Sequence, residues 1–95
     1  MNVIKRLHEQ TNMPYKQMAK EINIKLEKYT NNKKDELQVR TLIYYANGVF
    51  LPKREPIINA MADYFNTTSV ELIRHLKKHL KAKQEVAWNE KHNQR

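Results

Sequence analysis

The sequence predicts an all-α fold, and two observations support this prediction. Only one glycine and three prolines occur among the 95 residues, whereas these two residue types make up about 12% of an average protein. Sheet-rich folds need many tight turns, so this shortage disfavours them. Apolar residues also recur at the three- and four-residue spacing of amphipathic helices. At this length, we expect a single domain of five helices.

Two helices are predicted before residue 30. Residues 2–11 form the first, and its apolar positions share one helical face: Val3, Ile4 and Leu7. Pro14 opens the second, because a first turn tolerates proline, whose missing N–H would lack a partner there anyway. The apolar stripe of the second helix has helical spacing and meets no breaker, so its end is left open: Met18, Ala19, Ile22, Leu26 and Tyr29.

A third helix is predicted after the polar residues 30–34, which indicate a loop. Asp35 is an N-cap candidate with Gln38 three residues on, so the helix starts there or slightly later. Its expected inward positions are Leu37 or Val39, Leu42, Ile43 and Tyr45. The helix should stop at Asn47 and Gly48, because the one glycine of the chain favours a left-handed backbone.

Two further helices complete the predicted fold. Residues 53–65 form the fourth, with Pro56 in its first turn and these residues inward: Ile57, Ile58, Met61, Ala62 and Phe65. Residues 66–69 form a capped break. The fifth helix is expected to run from about Val70 into the upper eighties, so that residues 74–88 extend it, and residues 89–95 are expected to fray.

Charge and composition narrow the possible functions. Eighteen Lys and Arg against ten Asp and Glu give a net charge of +8, and the field of such a protein attracts polyanions. The absence of cysteine excludes disulfides, thiolate metal sites and cysteine nucleophiles. The longest apolar run has only five residues, Leu42 to Ala46, and the N-terminus is charged. We therefore expect neither a membrane span nor a signal peptide, and a cytoplasmic location.

The order of five segments resembles a known family. These segments are residues 4–11, 13–22, 39–48, 51–65 and 69–72, with Asn47 and Gly48 following an aromatic stretch. They resemble the lambda-repressor-like helix-turn-helix family of the Cro and Xre type, found in phage, plasmid and bacterial regulators. The resemblance implies that residues 1–73 bind double-stranded DNA. It also implies a small repressor of phage or mobile-element type, acting as a homodimer in a prokaryotic cell or phage-infected host.

The sequence departs from the family pattern in three places. Gly48 follows Ala19 by 29 positions, which is longer than the usual spacing and indicates an insertion at about residues 23–36. We expect this insertion to extend helix 2 and then to form a mobile polar loop. Tyr15 stands where the family often has a polar phosphate contact, and Ala46 stands where it commonly has an acid.

Candidate DNA contacts follow from side-chain chemistry and from the resemblance. The base-reading candidates on helix 3 are Gln38, Arg40, Thr41 and Tyr44. The fork of Arg40 matches O6 and N7 of guanine, and the amide of Gln38 matches adenine. The phosphate-binding candidates on helices 2 and 4 are Tyr15, Lys16, Lys53 and Arg54. The alternative is that these side chains only form the solvated faces of amphipathic helices.

The sequence also allows functions other than DNA binding. The same fold can serve as a protein-binding module, such as an antirepressor or modulator that binds a repressor, or an antitoxin that binds a toxin. Residues 74–83 carry five basic residues and no acid, so RNA or an anionic membrane is a third alternative. His75 and His79 have metal-ligand spacing, but no third ligand or catalytic glutamate accompanies them, and we expect both to be solvated. No metal, cofactor or enzymatic activity is predicted.

The expected homodimer would use the fifth helix. Leu76 and Leu80 recur at helical spacing, and Trp88 follows beyond them. These three residues are the predicted interface. The alternative places Ile73 and Leu76 in the core of the monomer and leaves only Leu80 onward exposed.

Overall fold

The computed structural model describes residues 1–81 and contains five helices. They are α1 (Val3–Thr11), α2 (Tyr15–Leu26), α3 (Val39–Ala46), α4 (Glu55–Tyr64) and α5 (Ser69–Lys78). No strand occurs within these residues, so the predicted all-α class is confirmed. None of the helices in this part of the chain has the length and apolar character needed to cross a bilayer.

All five helices contribute to one hydrophobic core. Helix α2 packs against α3 and α4, α4 packs against α5, and α1 packs against α3. The largest fully buried side chains come from every helix and from the segment between α2 and α3: Ile4, Met18, Ile22, Leu26, Leu37, Leu42, Met61 and Leu72. Because the helices share these contacts, no helix buries its apolar face without the others.

Asn2 caps α1 and connects it to α3. Its side-chain oxygen accepts a hydrogen bond from the Lys5 N–H at 3.1 Å, and its amide nitrogen donates to the Tyr45 carbonyl at 2.8 Å. Asn2 is only 2% exposed, and burial of an amide is tolerated when its polar atoms are paired. Thr68 caps α5 in the same way, because its hydroxyl accepts from the Glu71 N–H.

Gly48 ends α3 as predicted, and the structure adds a second reason for a glycine there. Its φ is +71°, in the left-handed region. A Cβ at this position would lie 2.7 Å from the carbonyl oxygen of His79. The Lys81 N–H also donates to the Gly48 carbonyl at 2.9 Å. The chain that follows α5 therefore passes directly against the end of α3.

The structure corrects two expectations for the fifth helix. Helix α5 ends at Lys78 instead of continuing without interruption into the eighties, because the next residues turn towards Gly48. Leu76 is 2% exposed and belongs to the monomer core, so its side chain does not face a second copy. Leu80 is partly buried. Trp88, the rest of the predicted extension and the tail at 89–95 lie outside the described residues.

His75 is a structural residue, which corrects the prediction of a solvated histidine pair. Its Nε2 accepts a hydrogen bond from the Val3 N–H at 2.9 Å, at the start of α1. The His79 ring lies 4.8 Å away. Burial lowers the pKa of His75, and the nearby positive groups His79, Arg6 and Lys78 lower it further. The neutral imidazole is therefore the form that fits this position, because a protonated Nε2 cannot accept.

We expect acid to destabilise the fold through His75. A histidine with a lowered folded-state pKa takes up its proton first in the unfolded chain. Its contribution is therefore complete above the ordinary value of 6.5. It is lost progressively as the pH falls below that value towards the folded-state pKa. Urea unfolding of the wild type and His75→Gln between about pH 7.5 and pH 5 measures this contribution. The variant should show the flatter profile, because a glutamine can accept the bond without titrating.

His79→Gln is the matched control for this prediction, because it removes a neighbouring titratable group and leaves the bond to Val3 in place. Its profile should stay closer to that of the wild type than the profile of His75→Gln does. Equal slopes for the wild type and His75→Gln would contradict the assignment.

Candidate nucleic-acid interface

Helix α3 presents two of the predicted base readers on its outer face. Leu42 and Tyr45 are buried against the core, which leaves Arg40 and Tyr44, one turn apart, on the opposite side. Arg40 is exposed, and Tyr44 is 38% exposed. The prediction that Tyr45 points inward and Tyr44 outward is therefore confirmed. The other two predicted readers lie beside this face, Gln38 exposed directly before the helix and Thr41 half-buried on its flank.

An aromatic neighbour that the sequence did not reveal supports Tyr44. The Phe50 ring meets the Tyr44 ring edge to face, with 5.3 Å between the ring centres. Phe50 is 53% exposed and lies in the loop after α3. No periodic pattern includes a loop residue, so the sequence carried no signal for this contact. The pair places two aromatic rings on the exposed side of α3.

The start of α3 is held by the segment that the sequence identified as an insertion. Helix α2 ends at Leu26. The apolar stripe leaves this end open, with Leu26 and Tyr29 both as candidates for the helix. The chain then returns to Asn23, whose side-chain oxygen accepts from the Leu37 N–H at 2.7 Å. The amide nitrogen of Asn23 donates to the Leu37 carbonyl at 3.0 Å. The Leu37 side chain is 1% exposed, so this segment is fixed to α2 at the residue before Gln38.

Asp35 has a different role from the predicted N-cap. Its carboxylate accepts from the Thr30 hydroxyl at 2.5 Å and pairs with the Arg54 guanidinium. Helix α3 begins only at Val39, with Gln38 as a cap that makes no side-chain hydrogen bond. Arg54, predicted to contact phosphate, connects the start of α4 to the insertion. Its guanidinium is therefore already engaged by an acid of the same chain.

Tyr29 is also placed differently from the prediction. The continued stripe would place it on the inner face of α2, but α2 has ended and Tyr29 is 40% exposed. Its hydroxyl donates to the Asp63 carboxylate at 3.3 Å. The residue thus fastens the turn after α2 to the end of α4 from the outside.

A groove of about 580 Å³ runs between α2 and the segment that leads into α3. Three lysines line this groove, Lys16, Lys20 and Lys33. Gln38 lines it as well. Three acids, Glu27, Asp35 and Glu36, also line the groove, so it is mixed in charge. The structure therefore brings the predicted phosphate contact Lys16 and the predicted base reader Gln38 to one surface. Lys20 and Lys33 join them.

The two remaining phosphate candidates are placed less favourably. The Tyr15 ring is half-buried and stacks on His8, with 4.0 Å between the ring centres. Burial and the nearby Glu9 raise the pKa of Tyr15, so its hydroxyl remains a neutral donor. Lys53 is exposed but lines a separate groove between α4 and α5. Lys16 and Lys20 of α2 therefore share a groove with Gln38, whereas Lys53 does not.

No model of a protein family, curated protein sequence or solved structure matches this chain. Within residues 1–81, no group of three or more acidic or histidine side chains is arranged to hold a metal ion. The case for a nucleic-acid interface therefore depends on the chain's own residues and their geometry.

The double hydrogen bond of Asn23 yields a prediction for stability. Asn23→Ala leaves the N–H and carbonyl of Leu37 without their partners in a half-buried site. It should lower the free energy of unfolding by about 1 to 3 kcal/mol. Asn31→Ala, an exposed asparagine of the same insertion, should change it by no more than about 0.5 kcal/mol. Urea titration of both variants measures the difference in the free energy of unfolding. Equal values would show that the two hydrogen bonds between Asn23 and Leu37, which we call the Asn23 clamp, do not stabilise the fold.

Proposed function

We propose that the protein is a small sequence-specific DNA-binding regulator, a transcriptional repressor of phage or mobile-element type. The observation that carries this proposal is the outer face of α3, where Arg40 and Tyr44 are exposed one turn apart. Within the described part of the chain, the Arg40 guanidinium has no ion-pair or side-chain hydrogen-bond partner. An unengaged guanidinium on a helix face can bind a base edge without first losing an internal contact.

The dimensions of α3 suit the major groove. An α-helix with its side chains is about 10 to 12 Å across, and the major groove of B-DNA is about 12 Å wide. The eight residues of α3 make about two turns, over which side chains can reach base edges. With α3 in the groove, the fork of Arg40 would face guanine O6 and N7, and the Tyr44 phenol would lie one turn further along. Gln38 would reach a base at the start of the helix.

Phosphate contacts would come from the surface beside α3. Lys16 and Lys20 lie on the exposed side of α2 and share the groove with Gln38. Their charges would orient α3 on the duplex without reading sequence. The net charge of +8 adds a long-range attraction that salt screens, so affinity should fall as the salt concentration rises.

A two-fold dimer would complete the reader. A single α3 contacts only a few base pairs, and paired helices reach two half-sites about 34 Å apart. The interface would not include Leu76, which is buried in the core. The mass of the full chain in solution, with and without its operator duplex, tests this part of the proposal. A single protomer bound to each duplex would contradict it.

Arg40→Ala tests base reading, with Lys16→Ala as the comparison. Arg40→Ala should weaken specific binding by about 1 to 3 kcal/mol and relax the preference at one base pair. Lys16→Ala should weaken all sequences alike and reduce the salt dependence of binding. The measurement is a binding titration with duplexes from the protein's own locus and a scrambled duplex, at two salt concentrations.

Two outcomes of the same titration would contradict the proposal. A wild type that binds the locus and scrambled duplexes equally well at both salt concentrations has only non-specific attraction. An Arg40→Ala variant with unchanged specificity would remove this residue from the reading surface.

A further inference from the structure

A second groove, of about 610 Å³, lies between the start of α4 and the exposed side of α5. It shares none of its lining residues with the groove beside α3. Its apolar floor and its basic rim are formed by six residues: Ile58, Val70, Ile73, Lys53, Arg74 and Lys77. These residues take no part in the base contacts proposed for α3.

The floor of this α4–α5 groove leaves apolar surface in water. Val70 is 64% exposed, the highest value among the exposed large apolar side chains of the described residues. Ile58 and Ile73 are half-buried beside it. Removing apolar surface from water is favourable, roughly in proportion to the area removed. An occupant with apolar side chains would therefore be stabilised on this floor.

The rim of the α4–α5 groove is positively charged. Lys53 and Lys77 are exposed, and neither has an ion-pair partner among residues 1–81. Arg74 pairs with Glu71 at 2.8 Å, and Glu55 is the single acid in the lining. The complement of this rim is a segment that carries carboxylates on either side of its apolar side chains.

We propose that the α4–α5 groove docks an acidic amphipathic segment of a partner protein. Its apolar side chains would pack on Ile58, Val70 and Ile73, and its carboxylates would pair with Lys53 and Lys77. Such a segment, lying as a helix in a groove, is a common mode of peptide recognition. This inference does not depend on DNA binding by α3.

Charge and shape favour this occupant over two others. A DNA backbone offers phosphates to the rim but no apolar side chains for the floor. A second copy docked through the same groove about a two-fold axis would place the basic rims together. An acidic peptide satisfies both the floor and the rim.

The experiment uses the full chain and a fluorescein-labelled peptide of about 14 residues, roughly four helical turns. Leucines repeat on one face of the peptide at the three- and four-residue spacing, and glutamates fill the other face. Two control peptides accompany it, one with the same composition scrambled and one with lysine for every glutamate. Fluorescence anisotropy should show saturable binding of the acidic amphipathic peptide, with at least about tenfold weaker binding of both controls, equivalent to about 1.4 kcal/mol.

Two variants locate the binding on the protein. Val70→Glu places a carboxylate on the floor, and Lys77→Glu reverses one charge of the rim. Each should raise the Kd of the acidic peptide by about tenfold. Ile24→Glu and Lys34→Glu are the matched controls, because Ile24 is 59% exposed and Lys34 is an exposed lysine without an ion-pair partner among the described residues, both away from this groove. Neither control should change the Kd by more than about twofold.

Further readouts separate the alternatives. Thermal unfolding of all four variants should match the wild type, since each site is exposed. The proposal is overturned if no amphipathic peptide binds, if the scrambled peptide binds equally, or if Val70→Glu leaves the Kd unchanged. It is also overturned if Val70→Glu converts a wild-type dimer into a monomer, which would assign the groove to a second copy. Loss of duplex binding in Lys77→Glu, with peptide binding unaffected, would assign the rim to DNA and overturn it as well.

Discussion

The position of α3 depends on the side chain of Asn23. This amide exchanges two hydrogen bonds with the backbone of Leu37, as a neighbouring strand would, and Leu37 fills the core at that point. Together with the Asp35–Arg54 ion pair, these two hydrogen bonds fix the path of the chain between α2 and α3. Gln38 and Arg40 follow the clamped residue directly, so a contact within the core determines where the candidate readers lie.

Four of the eight acids among residues 1–81 pair with side chains of the same chain, and this affects the charge of its surface. Asp35 forms an ion pair with Arg54 and accepts a hydrogen bond from Thr30. Asp63 forms ion pairs with Lys25 and Lys28, and it accepts a hydrogen bond from the Tyr29 hydroxyl. The Glu21 carboxylate accepts bonds from Gln17 and Tyr64, which lower its pKa. The lysines at the two grooves are left without such partners among the described residues: Lys16, Lys20, Lys33, Lys53 and Lys77. Glu27, Asp35 and Glu36 also line the groove beside α3, whereas Glu55 is the single acid in the lining of the α4–α5 groove. The excess of positive charge is therefore larger at the α4–α5 groove.

The two grooves differ in chemistry as well as in position. The surface beside α3 combines an amide, lysines and an exposed guanidinium, which suit the polar edges and phosphates of a duplex. The α4–α5 groove has an apolar floor around Val70, which suits protein side chains. Because the helix faces that form them are distinct, both surfaces could be occupied at once.

The sequence by itself determined the helices and the features that neighbouring residues control. The all-α class, the end of α3 at Gly48 and the opposite orientations of Tyr44 and Tyr45 follow from periodicity, caps and one glycine. Each of these features depends on residues that are close together in the sequence, so it can be inferred from one segment of the chain. The outward position of Arg40 was predictable for the same reason.

Only the tertiary structure decided which partners the remaining side chains meet. Asp35 binds Arg54 instead of capping α3, His75 accepts a bond from Val3, and Phe50 packs on Tyr44. The end of α5 and the burial of Leu76 depend likewise on contacts with distant segments. Each of these outcomes is a competition between local hydrogen bonding and a partner brought near by folding. The sequence pattern shows which hydrogen bonds neighbouring residues can make. It does not show which remote residues come into contact, because those distances are set only when the helices have packed.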